Sequence, residues 1–396
     1  MSIRKRGDNV YQVRVYIGFV DGERKYETKT VHGTREQAGL VEAKLKVKYS
    51  RGAMVSDNPT VGDFCDRWLR DYVMPFLRPK TYQNYEMHVR LRIKPALGTV
   101  KLKRLTASQV QRLYRDMKDA RLGGTKAGAK PSPVSDATIH GCHRVLRAAL
   151  EQAVAEGIIE DNPASKCKPP KPTKFQPVIL NDSEIEQFLN AARDNRLFAL
   201  FEMALRTGMR MGELLGLKWK DVDWEAKTVR VDRTLQDLHA PIAHELGKEA
   251  LHLADYAKSD DSLRLVLLPD STVNALKRHR TRQNLEKLRY GPNYNDQGLI
   301  FANKWGGLLN PRNTTRRIVK RICKAAGLDP ARFHDLRHTH FQGLADAGVS
   351  PRGIADRAGH ADPGFSMRTY THRTATTQQP AVEMLNAKSD ARMRGN

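Results

Sequence analysis

The chain has 396 residues, with 68 Lys and Arg against 44 Asp and Glu and a formal net charge of +24; such an imbalance speaks about partners rather than fold and points to a polyanion. Hydrophobic residues make up 40% and charged residues 28%, which suits a folded globular chain of two or three domains and excludes disorder as its main state. No apolar run of about 18 residues is present, and the basic start MSIRKRGDN precedes no apolar stretch, so neither a membrane span nor a secretory leader is expected and a cytoplasmic location is.

In chain order, VYQVRVYI alternates, with Val13, Val15 and Ile17 on one face and Arg14 and Tyr16 on the other. Asp21-Gly22 offers a hairpin turn, RKYETKTV a return strand, and TREQAGLVEAKLKVKY a helix with Thr34 and Gln37 as a capping box. Residues 1–56 thus read as a three-stranded sheet plus a helix. Its solvent face is expected to carry Arg14, Arg24, Lys25 and Lys29 toward nucleic acid; a merely solvated hairpin is the plainer alternative.

From residue 60 to 165 the periodicity is helical. TVGDFCDRWLRDYV places Val61, Phe64, Cys65, Trp68, Leu69 and Tyr72 on one apolar stripe, and PKTYQNYEMHVRLRI, TASQVQRLYRDMKDARL and SDATIHGCHRVLRAALEQAVAEG follow. Exposed faces of this helical domain are expected to present Arg78, Lys80, Arg90 and Arg92 for phosphate contacts. The four cysteines, Cys65, Cys142, Cys167 and Cys323, stand far apart without a C-x-x-C pair and read as reduced core residues. Residues 166–177 gather proline and lysine without periodicity, as an extended linker does. Residues 178–396 form the last domain, opening with a helix around DSEIEQFLNAARDNRLFALFEMALRTG and passing through a hairpin of WEAKTVRVDRTL with SLRLVLLP. The whole is an α+β multidomain chain.

Three stretches of this last domain are dense in chemistry. In TGMRMGELLGLKWKDVD, Arg210 and Glu213 stand three apart on one helix face, so the carboxylate can hold the guanidinium; alone, such a pair is ordinary surface decoration. FHDLRHTH brings His334 beside Arg337 and His338, which fits either two imidazoles of a zinc site or a phosphate-facing His and Arg. Zinc would sit within a turn of the permanent cation Arg337 and lacks a clear third ligand, so no metal is expected. His338 and His340 then read as packing or hydrogen-bonded supports, and Asp335 as a solvated or capping residue. AGHADPGFSMRTYTH adds Gly359-His360 and Tyr370.

Taken together, T-G-x-R-x-x-E, H-x-L-R-H-T, G-H and T-Y-x-H in this order resemble the catalytic domain of the tyrosine recombinases, the phage-integrase family. The sheet plus helix looks like the arm-type DNA-binding domain of phage and conjugative-transposon integrases, and the helical middle like their core-binding domain. The resemblance implies an integrase of a mobile element that cuts and rejoins DNA through a covalent 3′-phosphotyrosine without a cofactor. By similarity, Tyr370 is the nucleophile, Arg210 and Arg337 bind the phosphate, His334 handles the tyrosine proton and His360 hydrogen-bonds the phosphate, with Glu213 in support. The family's general acid is a lysine on a hairpin; Lys258 takes that role here, with Lys248 as the alternative because QDLHAPIAHELGKEALHLADYAKSDD is longer than a simple hairpin. Also implied are core-type and arm-type sites on double-stranded DNA, a homotetramer on DNA, a DNA-bending host factor and an excisionase. The rivals are a Xer-like resolvase, a type IB topoisomerase-like enzyme, and a regulator that binds DNA without catalysis.

Overall fold

The computed structural model describes residues 3–20, 23–50, 58–120, 133–173, 176–256, 263–359 and 364, and only the backbone at 17–20, 23–25, 47–50 and 313–316. Contacts divide the chain into two units, 1–174 and 175–396, a division that falls within the proline- and lysine-rich stretch.

In the first unit, β1 (Ile3–Gly7), β2 (Val10–Val20) and β3 (Glu23–His32) form an antiparallel sheet in that order, backed by α1 (Arg35–Ser50). Its core is small: Val13, Val15, Ala38 and Leu45. The helix starts on the expected capping box, with the Gln37 N–H donating to Thr34 Oγ1 at 3.3 Å and the Thr34 N–H to Gln37 Oε1 at 3.0 Å. Arg14 is exposed and lies over the Tyr26 ring at 4.2 Å. Lys29 departs from expectation: it pairs with Val13, so it shares the helix-facing side of the sheet and is exposed only because β3 is an edge strand. The Asp21-Gly22 turn and the side chains of Arg24 and Lys25 lie outside the described residues.

The helical part begins with α2 (Val61–Trp68), whose N-cap Thr60 accepts the Asp63 N–H at 3.1 Å, and continues through a widened π-type turn over Leu69–Val73. That turn advances the buried stripe by one position, so Val73 is buried and Tyr72, expected in the core, is exposed. Next come α3 (Pro79–His88), a second π-type turn over Val89–Ile93, α4 (Lys94–Leu97), α5 (Ala107–Lys118) and α6 (Asp136–Ala155). Phe64, Ile93, Leu113, Met117, Leu146 and Leu150 close the core. Arg78, Lys80 and Arg90 are exposed, whereas Arg92 is only 7% exposed. The π-type turn rotates Arg92 inward beside His88, an imidazole pushed down to about 4 by burial and then by the Arg92 charge. Cys65, Cys142 and Cys323 are buried free thiols; Cys167 is half-buried.

The second unit opens with two helices, α7 (Asp182–Ala192) and α8 (Phe198–Thr207), where one was expected. Asn195 makes the break, its side-chain oxygen accepting the Leu197 N–H at 2.9 Å in place of a helical bond. After α9 (Met211–Gly216), the strands β4 (Val222–Asp223), β5 (Thr228–Val231), β6 (Arg233–Asp237), β7 (Leu251–Asp255) and β8 (Arg264–Leu267) form two small sheets, β4-β5-β8 and β6-β7. The expected pairing of TVRV with RLVL is present, Val229 facing Val266. Within the long connection sit α10 (Ala240–Glu245) and the β6–β7 hairpin. The chain continues as α11 (Asp270–Tyr290), α12 (Pro311–Asn313), a π-type turn over Thr314–Val319, α13 (Lys320–Ala325), α14 (Phe333–Asp346) and α15 (Pro351–Ala358). Among the described residues no helix is long and apolar enough to cross a membrane.

Helix α8 is the pillar of this unit, packed against both α11 and α14. Phe201 is fully buried and meets Phe188 edge-on at 5.9 Å and Phe333 at 6.3 Å. Phe201→Ala should therefore cost about 3–5 kcal/mol through lost contacts and a residual cavity. Denaturant unfolding followed by circular dichroism checks this; a loss below about 1 kcal/mol would mean that the site collapses freely.

Candidate active site

The site is built where α8 ends. Gly208 turns the chain with φ 64°, and a Cβ there would come within 2.5 Å of His340 Cδ2 and 2.8 Å of Phe341 Cζ, so glycine lets α14 approach. Arg210 then serves as the N-cap of α9, and Glu213 reaches back to it. Glu213 Oε2 accepts the Arg210 backbone N–H at 2.8 Å, and Oε1 accepts Arg210 Nη1 at 2.8 Å.

Glu213 is 0% exposed. A second arginine meets it there: Arg264 of β8 donates Nη2 to Oε2 at 2.8 Å and Nη1 to Oε1 at 3.2 Å. Tyr256 adds its hydroxyl at 3.4 Å. Burial alone pushes the Glu213 carboxyl up, but the Arg264 hydrogen bonds and charge, joined by Arg210, outweigh it and hold the group below the usual carboxylate range. One negative charge thus binds two positive ones.

Arg337 comes from α14 and is 3% exposed, whereas the Arg210 side chain is 37% exposed. Arg337 donates Nη1 to the Gly208 carbonyl at 2.6 Å and Nη2 to the Ala358 carbonyl at 3.1 Å, and its guanidinium lies 4.8 Å from the Phe341 ring centre. Arg210 Nη2 donates to the next carbonyl, Gly359, at 3.3 Å. The end of α15 is thus held by both arginines. Arg264 holds it as well, its Nε donating to the Arg357 carbonyl at 3.0 Å. Gly359, at φ 64°, is needed because a Cβ would meet Arg264 Nη1 at 2.9 Å.

The histidines divide by role. His334 is exposed, and its ring meets His338 edge-on at 4.9 Å. Although part of the residue reaches solvent, crowding of its ring by the surrounding site, then the charges of His338 and Arg337, lowers His334 below its ordinary value, which favours the neutral base at neutral pH. His340 is a hydrogen-bonded support: Nδ1–H donates to the Leu205 carbonyl at 2.9 Å, and Nε2 accepts Arg357 Nε at 3.0 Å. Asp335 caps α14 through the Arg332 N–H at 2.8 Å but is buried rather than solvated. Among the described residues no three His, Cys, Asp or Glu side chains converge as a metal site would require.

Of the six predicted catalytic residues, Arg210, His334 and Arg337 are described, with Arg210 and Arg337 meeting at adjacent carbonyls. Lys258, His360 and Tyr370 lie outside the described residues. Sequence reasoning missed Arg264, Arg357 and Tyr256. The available signal was weak: in SLRLVLLP, Arg264 shares its strand phase with Val266 and Leu268, but Leu265 and Leu267 fill the other phase and hide which face is buried.

Several known proteins resemble this chain. The profile of the phage integrase family matches residues 179–377, and that of the phage integrase N-terminal SAM-like domain matches residues 60–118. A protein of Caldanaerobacter subterraneus subsp. tengcongensis named tyrosine recombinase XerC-like is 32% identical over 96% of this chain and 97% of its own length. The ICEBs1 integrase of Bacillus subtilis is 25% identical over 98% and 99%. Two solved structures share the fold. The Tn1549 transposon integrase, residues 82–397, in complex with circular intermediate DNA gives a TM-score of 0.63 at 21% identity, covering 82% of this chain and 99% of that one. A lambda integrase tetramer bound to a Holliday junction gives 0.55 at 18%, covering 93% and 95%. The chain belongs to the phage integrase family of tyrosine recombinases. It is a DNA strand-transferring enzyme, a site-specific recombinase.

Glu213→Gln removes the carboxylate shared by Arg210 and Arg264 and should destabilise the protein by about 3–5 kcal/mol. Ionised Glu213 contributes stability that is full above the unfolded carboxyl value of about 4.3 and is lost as pH falls through the lower folded value. Acid unfolding of the Gln variant, compared with the parent, should therefore lack that part of the decline. His340 acts at higher pH. Its imidazole, pushed down to about 3 by burial and then by Arg357, stays neutral in the fold while the unfolded chain protonates near 6.5. Stability should thus fall by about 1.4 kcal/mol per pH unit below that point for this one group. A His340→Asn variant that shows the same slope in urea unfolding between pH 6 and 4 would contradict it.

Proposed function

We propose that this recombinase integrates and excises a mobile genetic element, such as a phage genome, through a covalent bond between Tyr370 and the 3′ phosphate of a cut strand. The observation that carries the reading is the convergence of Arg210 and Arg337 on the adjacent carbonyls of Gly359 and Ala358, at the start of the Gly359-His360 motif that precedes Tyr370. Two planar guanidinium forks so close together match the non-bridging oxygens of one phosphate. They also stabilise the charge of the pentacovalent transition state and the phenolate of Tyr370, whose free value is about 10. His334, neutral, takes the tyrosine proton; His360 hydrogen-bonds the phosphate; Lys258, rather than Lys248, protonates the leaving 5′ oxygen. Glu213 fixes the pose of Arg210.

In this reading residues 1–56 bind arm-type DNA, 60–165 grip the core site, 166–177 link, and 178–396 catalyse. The exposed Arg14, Arg78, Lys80 and Arg90 face phosphates, Arg24 and Lys25 extend the sheet's basic surface, and Lys29 contributes from the sheet edge. Four protomers assemble on two duplexes in the cytoplasm, with a DNA-bending host protein and an excisionase as further partners. A Xer-type resolvase is the second reading, favoured by the name of the 32% identical relative.

Tyr370→Phe should abolish the covalent adduct on a nicked suicide duplex and leave site-specific binding intact, since only the phenolic oxygen is lost. Arg210→Lys or Arg337→Lys keeps charge but loses the fork, so cleavage should fall by roughly two or more orders of magnitude with binding nearly unchanged; equal losses in both would assign a structural role. A chain starting near Asn58 should still cleave core sites yet fail to integrate between two attachment sites. Integration by that chain at the full rate would defeat the arm-binding reading and favour a simple resolvase.

A further inference from the structure

At the end of α8 opposite the arginine site lies a cavity of 360 Å³ lined by Arg193, Arg196, Arg278 and Arg282 together with Phe198 and Ala199. Ten residues of helix separate it from Gly208, roughly 15 Å of axial rise, so it belongs to another place on the molecule. Arg196 is neutralised there, donating Nε and Nη2 to the two Glu286 carboxylate oxygens at 2.5 and 2.6 Å. Arg282 Nη1 donates to the Asn195 carbonyl at 3.1 Å, a contact that leaves its charge in place. Among the described residues no acidic side chain pairs with Arg193 or Arg278, and none lines the cavity.

Three uncompensated guanidiniums around one cavity repel one another, and that cost falls when an anion sits between them. Arginine rather than lysine throughout suits the forked recognition of phosphate oxygens. The charge does not stop at the cavity. Arg278, Arg282 and Arg289 recur at spacings of four and seven along α11, all exposed, which aligns them on one face over about 17 Å. No single small anion spans that distance, but a sugar-phosphate backbone does. We infer that this cavity and the arginine row of α11 hold the backbone of duplex DNA outside the segment being cut, a second DNA contact of the catalytic unit.

This rests on the recombinase reading above and is tested on the full chain. The double variant Arg193→Ala/Arg278→Ala is compared with the parent on a short duplex carrying only the recombination site and on the same site with long flanks. Neutralising two phosphate contacts should make log affinity against log salt shallower by about 1.8 on the flanked duplex. Affinity for the short duplex and suicide cleavage should stay unchanged. The Arg193→Lys/Arg278→Lys pair, which keeps both charges, should retain the parent slope. Equal slopes for parent and Ala variant on the flanked duplex would overturn the inference, as would an equal loss on both duplexes or a lost slope in the Lys pair. Inorganic phosphate separates the other source of the same chemistry: if millimolar phosphate competes with flank binding beyond chloride at matched ionic strength, the cavity takes a free phosphate and the DNA assignment fails. Absence of site-specific binding by the parent would instead sink the recombinase reading itself.

Discussion

A carboxylate with no access to water can stay ionised only if the fold surrounds it with charge, and Glu213 imposes that condition on its whole neighbourhood. Arg210 meets it from the start of its own helix and Arg264 from β8, so a local helix motif and a distant strand are fixed to one point. The register of β8 follows from this, since Arg264 pairs with Val231 across the ladder and a slip of one residue would send Leu265 inward and the guanidinium out. The same arginine then reaches the Arg357 carbonyl. Ion pairing at one buried atom group thus sets the relative placement of α9, the small sheet and the end of α15.

Arginine does different work at the two ends of α8. At the Gly208 end each guanidinium is held by oxygen atoms of the protein, so its direction is fixed before any substrate arrives, which is what transition-state stabilisation asks of a charge. At the Phe198 end three of the four cavity arginines have no described acidic partner, and their charge is available to the outside. The first arrangement suits chemistry and the second suits adhesion.

Much of this was legible in the sequence, and each failure has its own physical cause. Arg210 and Glu213 declare themselves because helical spacing joins them within one turn, the Thr34 capping box is equally local, and the β5–β8 pairing shows in the β-branched and leucine-rich runs of its two strands. Tyr72 and Arg92 were misplaced because π-type turns add a residue to the period, and ideal helical spacing carries no trace of that. Lys29 was misplaced because the faces of a sheet depend on cross-strand register rather than on the alternation of one strand. Arg264 was overlooked because leucines on both phases of its strand hide the buried face, and its meaning lies in a partner 51 residues away.

The grip of Arg210 and Arg337 on the Gly359 and Ala358 carbonyls has one more consequence. In the proposed reading, a phosphate taken by these arginines would compete for donors that the Gly359 and Ala358 carbonyls already occupy, so that loading the substrate and loosening the chain at Gly359 would be two sides of one exchange. Thermodynamic reciprocity then applies: whatever factor the substrate contributes to freeing that segment, a more tightly held segment subtracts from affinity for the substrate.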